Sequence, residues 1–245
     1  MTPGDAILVG AMAFFASIVG GLAGYGTNLL MPLVLVPIVG AEATVPILAV
    51  SGLVNNATRL AVFRDRVDWP RVAPLIAVAL PFCFVGAGAY SLLSGRQASM
   101  VIGVMLLVLV PGRYLLKRWP LPASRPVTLG AGALYGLLTG GTPGAGIVLV
   151  ALLVSMGLAG PAVIATDSAV SLVVGIAKVA TFQALGDLPP SSWVLALVVG
   201  GIGVPGVMVA RWLGERMSMT LHGAILDTAI LAGGAFLVMR GAGWT

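Results

Sequence analysis

Charged residues are scarce in this sequence. They make up 9% of its 245 residues, where a soluble globular domain carries about 25%. A single cysteine, Cys83, lies within an apolar run; it excludes an intrachain disulfide and, with no companion thiol, offers no basis for a metal or redox centre. One histidine, His222, is present. No G-x-x-x-x-G-K-[ST] loop occurs, so nothing supports ATP-driven transport by this chain. No metal-ligand constellation and no nucleophile paired with a base can be found, so neither catalytic residues, metal nor cofactor is expected, and an enzyme is excluded. Before Arg59 there is no basic residue at all. A cleaved signal peptide needs a basic leader, so the first apolar run is expected to be a retained span.

What is abundant is apolar. Hydrophobic residues make up 59% of the chain and the mean hydropathy is +1.08. The apolar residues come in long continuous runs rather than short alternating segments, which points to membrane helices and not to a barrel. The net charge of +5 is therefore no nucleic-acid signal: the basic residues cluster in short loops, as membrane topology requires, and the partner is the lipid bilayer.

Ala6–Ala23 is the first run, Leu29–Val39 a short one, and Ala43–Phe63 a full span with Asn55, Asn56, Thr58 and Arg59 in its polar final third. The basic loop Arg64–Arg71 follows, then spans over Val72–Leu93 and Ala98–Leu116. A linker at 119–126, flanked by Arg113, Lys117 and Arg118 and containing Arg125, divides a first repeat, 1–118, from a second, 127–245. In the second, Val127–Leu138 and Ile147–Leu158 precede Pro161–Phe182, Trp193–Trp212 and Leu221–Val238. One offset of 119 residues, the interval from Ala43 to Ala162, also brings Phe63 onto Phe182, Asp68 onto Asp187, Pro70 onto Pro189 and Arg59 onto Lys178. The chain reads as an internal duplication.

Two stretches interrupt the apolar pattern at corresponding places, Ile18–Asn28 (IVGGLAGYGTN) and Leu137–Gly146 (LLTGGTPGAG). Glycine tolerates a non-helical backbone, and Pro143 removes a donor and clashes with the preceding turn, so broken helices are expected. Inside hydrocarbon such a break survives only where protein or a cavity covers the freed backbone groups, and its helix ends make a ready ion site. Close packing through small residues is the plainer reading of the same glycines.

The charges also bear on orientation. Arg64–Arg71 and Arg113–Arg125 should both be cytoplasmic, whereas Ala184–Ser192 contains Asp187 and no cation and should lie outside. The equivalent loops thus have opposite character, which predicts inverted repeats with five crossings each. If Leu29–Val39 and Ile147–Leu158 are re-entrant, the count is four each and the repeats are parallel, so the expected total is 8–10 membrane segments of an all-α polytopic protein.

Arg59 lies about five residues, roughly 7 Å, from the end of its predicted helix, and Lys178 sits at a similar depth. Cations there mark a binding site or gate, or else snorkel to the interface as anchors. Either would attract an oxyanion, and arginine adds a planar fork of donors. Thr27, Asn28, Asn55, Thr142, Ser168 and Ser171, with the backbone at Gly144, could replace part of an anion's hydration shell. Asp167 and His222 are the candidates for a coupling proton; Asp167 could equally satisfy its helix start or bond Ser168 or Ser171. It is three turns from Lys178 along one helix, too far for a direct bond, so an ionic partner would have to come from another helix.

In order and spacing these features resemble the TauE/SafE sulfite exporter family. The resemblance rests on GLAGYGTNLLMP (Gly21–Pro32), on the Ala43–Phe63 helix leading into RVDW (Arg66–Trp69), and on the diverged repeat at Gly140–Gly146, Ala162–Ser171 and Gly186–Leu188. It implies a permease of the prokaryotic cytoplasmic membrane for sulfite or an organosulfonate, a small anionic substrate met at the two breaks and the polar helix ends. Tyr25, Thr27 and Asn28 depart from the family's glycine run, and Arg59 and Lys178 from its other polar residues at those places. A transporter of another organic anion, and a non-transporting membrane scaffold or partner subunit, are the competing expectations. A homo-oligomer remains compatible with the sequence.

Overall fold

The computed structural model describes residues 2–23, 27–119, 122, 124–214 and 220–244; at 23, 113, 117, 214 and 220–229 only the backbone is described. Among the described residues there is no strand, and ten α-helices carry the fold. They are α1 (Pro3–Ala23), α2 (Thr27–Val39), α3 (Ala41–Phe63), α4 (Trp69–Ser91), α5 (Gly95–Arg118), α6 (Arg125–Gly141), α7 (Gly146–Ser155), α8 (Pro161–Leu185), α9 (Pro190–Gly214) and α10 (Thr220–Ala242). Six of them, α1, α3, α4, α5, α8 and α9, are long and apolar enough to cross a bilayer. This is a multi-pass membrane protein.

The helix boundaries follow local chemistry. Asp68 caps α4, its carboxylate accepting from the Arg71 amide at 3.3 Å, and Pro70 fits the first turn, where no backbone donor is needed. Gly186 ends α8 in the left-handed conformation that glycine adopts without strain. The second interruption is narrower than the glycine pattern predicts. α1 stays helical to Ala23 and α2 starts at Thr27; residues 24–26, within the first expected break, lie outside the described residues. α6 continues through its glycines to Gly141, and the second break is confined to Thr142–Ala145. A single glycine costs a helix only about 1 kcal/mol relative to alanine, so packing can hold the glycine-rich turns helical. At Thr142–Ala145, Pro143 and the positive φ of Gly144 (87°) forbid it.

Several of the glycines serve packing instead. Apolar side chains gain nothing by leaving lipid for one another, so membrane helices associate through close van der Waals contact over small residues. A Cβ on Gly136 or Gly140 of α6 would stand 2.2 Å from the Ala79 or Cys83 carbonyl of α4, so these two backbones touch directly. On the outer faces, Phe84, Val85, Leu197 and Val198 are exposed, as lipid-facing side chains are. Trp69 and Trp119, at helix ends, are exposed as well, as interfacial tryptophans are.

The packing repeats in the two halves. α4 packs on α6 as α9 packs on α1, and α4 on α8 as α9 on α3; α3–α8 and α5–α10 are pairs of equivalents. Along α3–α8, Leu53 lies against Gly175 while Arg59, further along α3, meets Asp167, earlier in α8. Along α5–α10, Gly103 lies against Gly234 and Met100 against Gly241. Each pair of equivalents therefore runs in opposite directions. By contrast α1 and α9 run together, Gly10 facing Ile202 and Gly21 facing Ala210, as do α4 and α8, Cys83 facing Val174 and Tyr90 facing Phe182.

Candidate functional site

At the centre of this packing a cavity of about 70 Å³ reaches both interrupted helices. One water needs roughly 10–15 Å³ by the same measure, so the space suits a few waters or one small anion. Its walls come from the end of α1, the start of α2, the middle of α3, the α6–α7 break and the middle of α8. α2 and α7 both begin here, with Thr27 and Asn28 at one start and Ala145 and Gly146 at the other, and a helix start presents the positive end of its dipole.

The two deep cations both turn inward. Arg59, 8% exposed, donates from Nη1 to the Gly20 carbonyl in the last turn of α1 at 3.3 Å, and from Nη2 to the Asn56 Oδ1 of its own helix. Lys178, 6% exposed, donates from Nζ to the Thr139 carbonyl at 2.6 Å and to the Thr142 carbonyl at 3.3 Å. Gly20 and Thr139 are themselves equivalent under the 119-residue offset. Each cation thus binds the negative end of one interrupted helix, which satisfies carbonyls the break sets free. Neither snorkels to the interface. Lys178 also stands 5.8 Å from the centre of the Phe182 ring.

Asp167, only 1% exposed, is the one carboxylate among the described lining residues. Its Oδ2 faces Arg59 Nη1 at 3.9 Å and its Oδ1 has no hydrogen-bond partner among the described residues. The ionic partner does come from another helix, and it is Arg59 rather than Lys178. Charge among the described lining residues is therefore two cations against one carboxylate. Asn55, 2% exposed, leaves both amide atoms unpartnered beside Gly203 of α9, where a Cβ would stand 2.4 Å from Oδ1. A buried amide with no protein partner is costly and calls for a water or ligand.

Of the residues singled out in the sequence, the cavity gathers Thr27, Asn28, Asn55, Arg59, Thr142, Gly144, Asp167, Ser171 and Lys178. Thr27 donates to the Ala16 carbonyl at 3.1 Å and Thr142 to the Leu138 carbonyl at 2.6 Å, so each presents its hydroxyl oxygen with the proton already committed. Gly144 has no room for a side chain, since a Cβ would come within 2.4 Å of Leu29 Cδ2. Ser168 is not brought to the cavity: fully buried, it donates to the Ile164 carbonyl at 2.7 Å. Ser and Thr in membrane helices commonly bond their own preceding turn. The His222 side chain lies outside the described residues. Sequence reasoning missed Tyr135 and Thr139 of α6; Asn56, read only as part of the polar end of α3, lines the cavity as well. Tyr135 bonds Ser171 across the helices, hydroxyl to hydroxyl, at 2.9 Å. The 119-residue offset applied to Gly20 would have found Thr139; nothing in the sequence distinguishes Tyr135 from a lipid-facing tyrosine.

Comparison with curated proteins and with solved structures found no match. The family model for "Sulfite exporter TauE/SafE" matches residues 9–237, nearly the whole chain, including every described wall of the cavity. The chain belongs to the TauE/SafE sulfite exporter family, and is thus a membrane transporter and not an enzyme.

Proposed function

We propose that this protein is a secondary transporter of a small sulfur oxyanion, sulfite or a small organosulfonate, which it binds in the central cavity between two inverted repeats. The observation that carries the reading is the charge of the wall: among the described lining residues Arg59 and Lys178 stand against one carboxylate, Asp167, so this ionised set keeps one positive charge for an anion to neutralise. Two helix starts add to that attraction, and Asn55 holds an unused amide for the anion's oxygens. The opposite directions of α3 and α8, and of α5 and α10, support inversion of the repeats 1–118 and 127–245 about the linker 119–126. Inverted repeats let one fold open to either side by rocking one half against the other.

The small volume of the cavity favours an inorganic oxyanion over a bulky organic anion, which is the second reading. A cavity touching both breaks speaks against a scaffold, which needs none. Asp167 is the described candidate for a coupling proton. The basic residues of Arg64–Arg71 and of the linker support an inner-side location for both in a prokaryotic cytoplasmic membrane.

The test is sulfite flux into sealed proteoliposomes, with and without an imposed pH gradient, against empty vesicles. Protein-dependent flux that responds to the gradient is expected, with sulfite outcompeting larger carboxylates. Absence of flux under both conditions in folded, reconstituted protein overturns the sulfite reading.

A further inference from the structure

The cavity wall contains a feature that binding alone does not call for. Two capped helix breaks need two cations, and both cations are already engaged with carbonyl oxygens. Asp167 is required by neither. It lies across from Arg59 at 3.9 Å, within ion-pair reach but beyond a hydrogen bond, with Oδ1 unpartnered among the described residues and the residue otherwise buried. Its equivalent in the first half is Leu48, which also lines the cavity. The carboxylate is therefore an addition to one half of a duplicated plan, held against the cation that an arriving anion would seek.

We propose that Asp167 is the resident counter-ion of the cavity: the substrate anion displaces its carboxylate from Arg59, and the displaced carboxylate takes up one proton, so that a divalent oxyanion moves together with one proton. This rests on the transporter reading above and adds its coupling chemistry.

The physical argument is one of charge. An anion and an ionised Asp167 cannot share the guanidinium without placing two negative groups side by side in a buried space, where an unpaired charge is strongly disfavoured. With Asp167 ionised, the wall balances a monovalent anion; with Asp167 protonated, it balances a divalent one. The proton comes from the solution to which the cavity is open and bonds a carboxylate oxygen, and no bond within the anion changes.

The surroundings offer no rival acceptor of comparable placement. From α3 the group facing Asp167 is Arg59. From α6 it is Tyr135, which is bonded to Ser171. From α4, Cys83 is turned to the Val174 carbonyl, while Asp68 and Arg71 at the start of that helix pair with each other. The short 3₁₀ turn Arg64–Arg66 packs on α8 with Arg64 and Asp65 paired in solvent. α7 brings no titratable side chain, and Lys178, on α8 itself, is held by the α6 carbonyls.

The experiment counts protons. Sulfite is added to weakly buffered, purified protein at alkaline pH, where sulfite itself is the dianion, and proton uptake is measured for the wild type and for Asp167→Asn. Uptake of a single proton per bound sulfite is expected in the wild type, and sulfite binding without uptake in Asp167→Asn. Equal uptake in both proteins overturns the proposal, because the proton then goes to the anion or elsewhere, as does a wild type that binds sulfite without uptake. A folded Asp167→Asn that no longer binds sulfite also overturns it, since Asp167 would then hold the anion rather than compete with it. Should that variant not fold, the wild type decides alone: a sulfite-induced infrared difference spectrum must show a protonated carboxyl band, and its absence sinks the idea. Failure of the wild type to bind or move any sulfur oxyanion would instead overturn the transporter reading itself.

Discussion

Arg59 and Lys178 occupy equivalent places in the two halves and do the same structural work, one on the Gly20 carbonyl and the other on its equivalent, Thr139. Their surroundings differ. Opposite Arg59 stands Asp167; the residue that the 119-residue offset matches to Asp167 is Leu48, which also lines the cavity. The shared part of the two corners belongs to the architecture, because an interrupted helix in hydrocarbon must satisfy its last carbonyls wherever it occurs. The unshared part does not. On the reading of two repeats, what caps the interrupted helices is separable from what Asp167 adds, and the separation can be tested one residue at a time.

Removing one cation at a time should break the equivalence most sharply. Arg59→Gln leaves Asp167 buried without its cation, which costs about 3–5 kcal/mol. Lys178→Gln leaves carbonyls that an amide can still reach, and should cost about 1–3 kcal/mol. Unfolding in detergent measures both. If the asymmetry is due to Asp167, the double variant Arg59→Gln/Asp167→Asn recovers most of the larger loss; equal losses in the two single variants would abolish the distinction between the corners.

The backbone at the second break sets up another contrast. Gly144 and Gly157 both have φ near 88°, at 87° and 89°. A Cβ at Gly157 would meet nothing within 4 Å, whereas one at Gly144 would strike Leu29 at 2.4 Å. Gly157→Ala therefore carries only the left-handed strain of about 1–2 kcal/mol. Gly144→Ala adds overpacking of about 1–3 kcal/mol in the cavity wall and should abolish flux as well. Thermal unfolding and proteoliposome flux, taken together, separate the two contributions.

How much of this could be seen beforehand depends on which forces are local. Helix positions follow from apolar runs, which are local, and the meeting of Phe63, Asp68 and Pro70 with their counterparts under one offset is the ground for proposing a duplication. Arg59 and Lys178 stood out because charge is rare in such a sequence. The pairing of Arg59 with Asp167 could not be read, since it depends on α3 and α8 running in opposite directions side by side. The extent of the second break was misjudged for a similar reason: whether Gly136 and Gly140 interrupt a helix or press it against a neighbour is decided by α4, far away in sequence.

Asn55 and its equivalent Val174 offer a trade between stability and activity. Asn55→Val removes an amide whose two polar atoms lack partners, and should stabilise the folded protein by about 1–3 kcal/mol. Flux should nevertheless fall, because the anion loses a donor from the wall. A variant that is both less stable and inactive would mean that the amide is satisfied by bound water and serves the fold.

The smallest expected effect lies between two serines on one helix. Ser168 and Ser171 both looked like site residues, but Ser168 donates to its own preceding turn at Ile164 and Ser171 faces the cavity, joined to Tyr135. Ser168→Ala removes a bond that the helix does not need, so stability should stay within about 0.5 kcal/mol and flux should be unchanged. Ser171→Ala removes a bond between α8 and α6, worth about 0.5–1.5 kcal/mol. It also frees the Tyr135 hydroxyl beside the anion, which should alter the apparent affinity for sulfite while leaving the fold intact. The sharper reading is the affinity, because a purely structural serine would shift the unfolding temperature and leave the affinity alone. If Ser168→Ala changed affinity and Ser171→Ala did not, the cavity wall would have to be drawn on the other face of α8, and Asp167, adjacent to Ser168, would need a different partner in the transporting state.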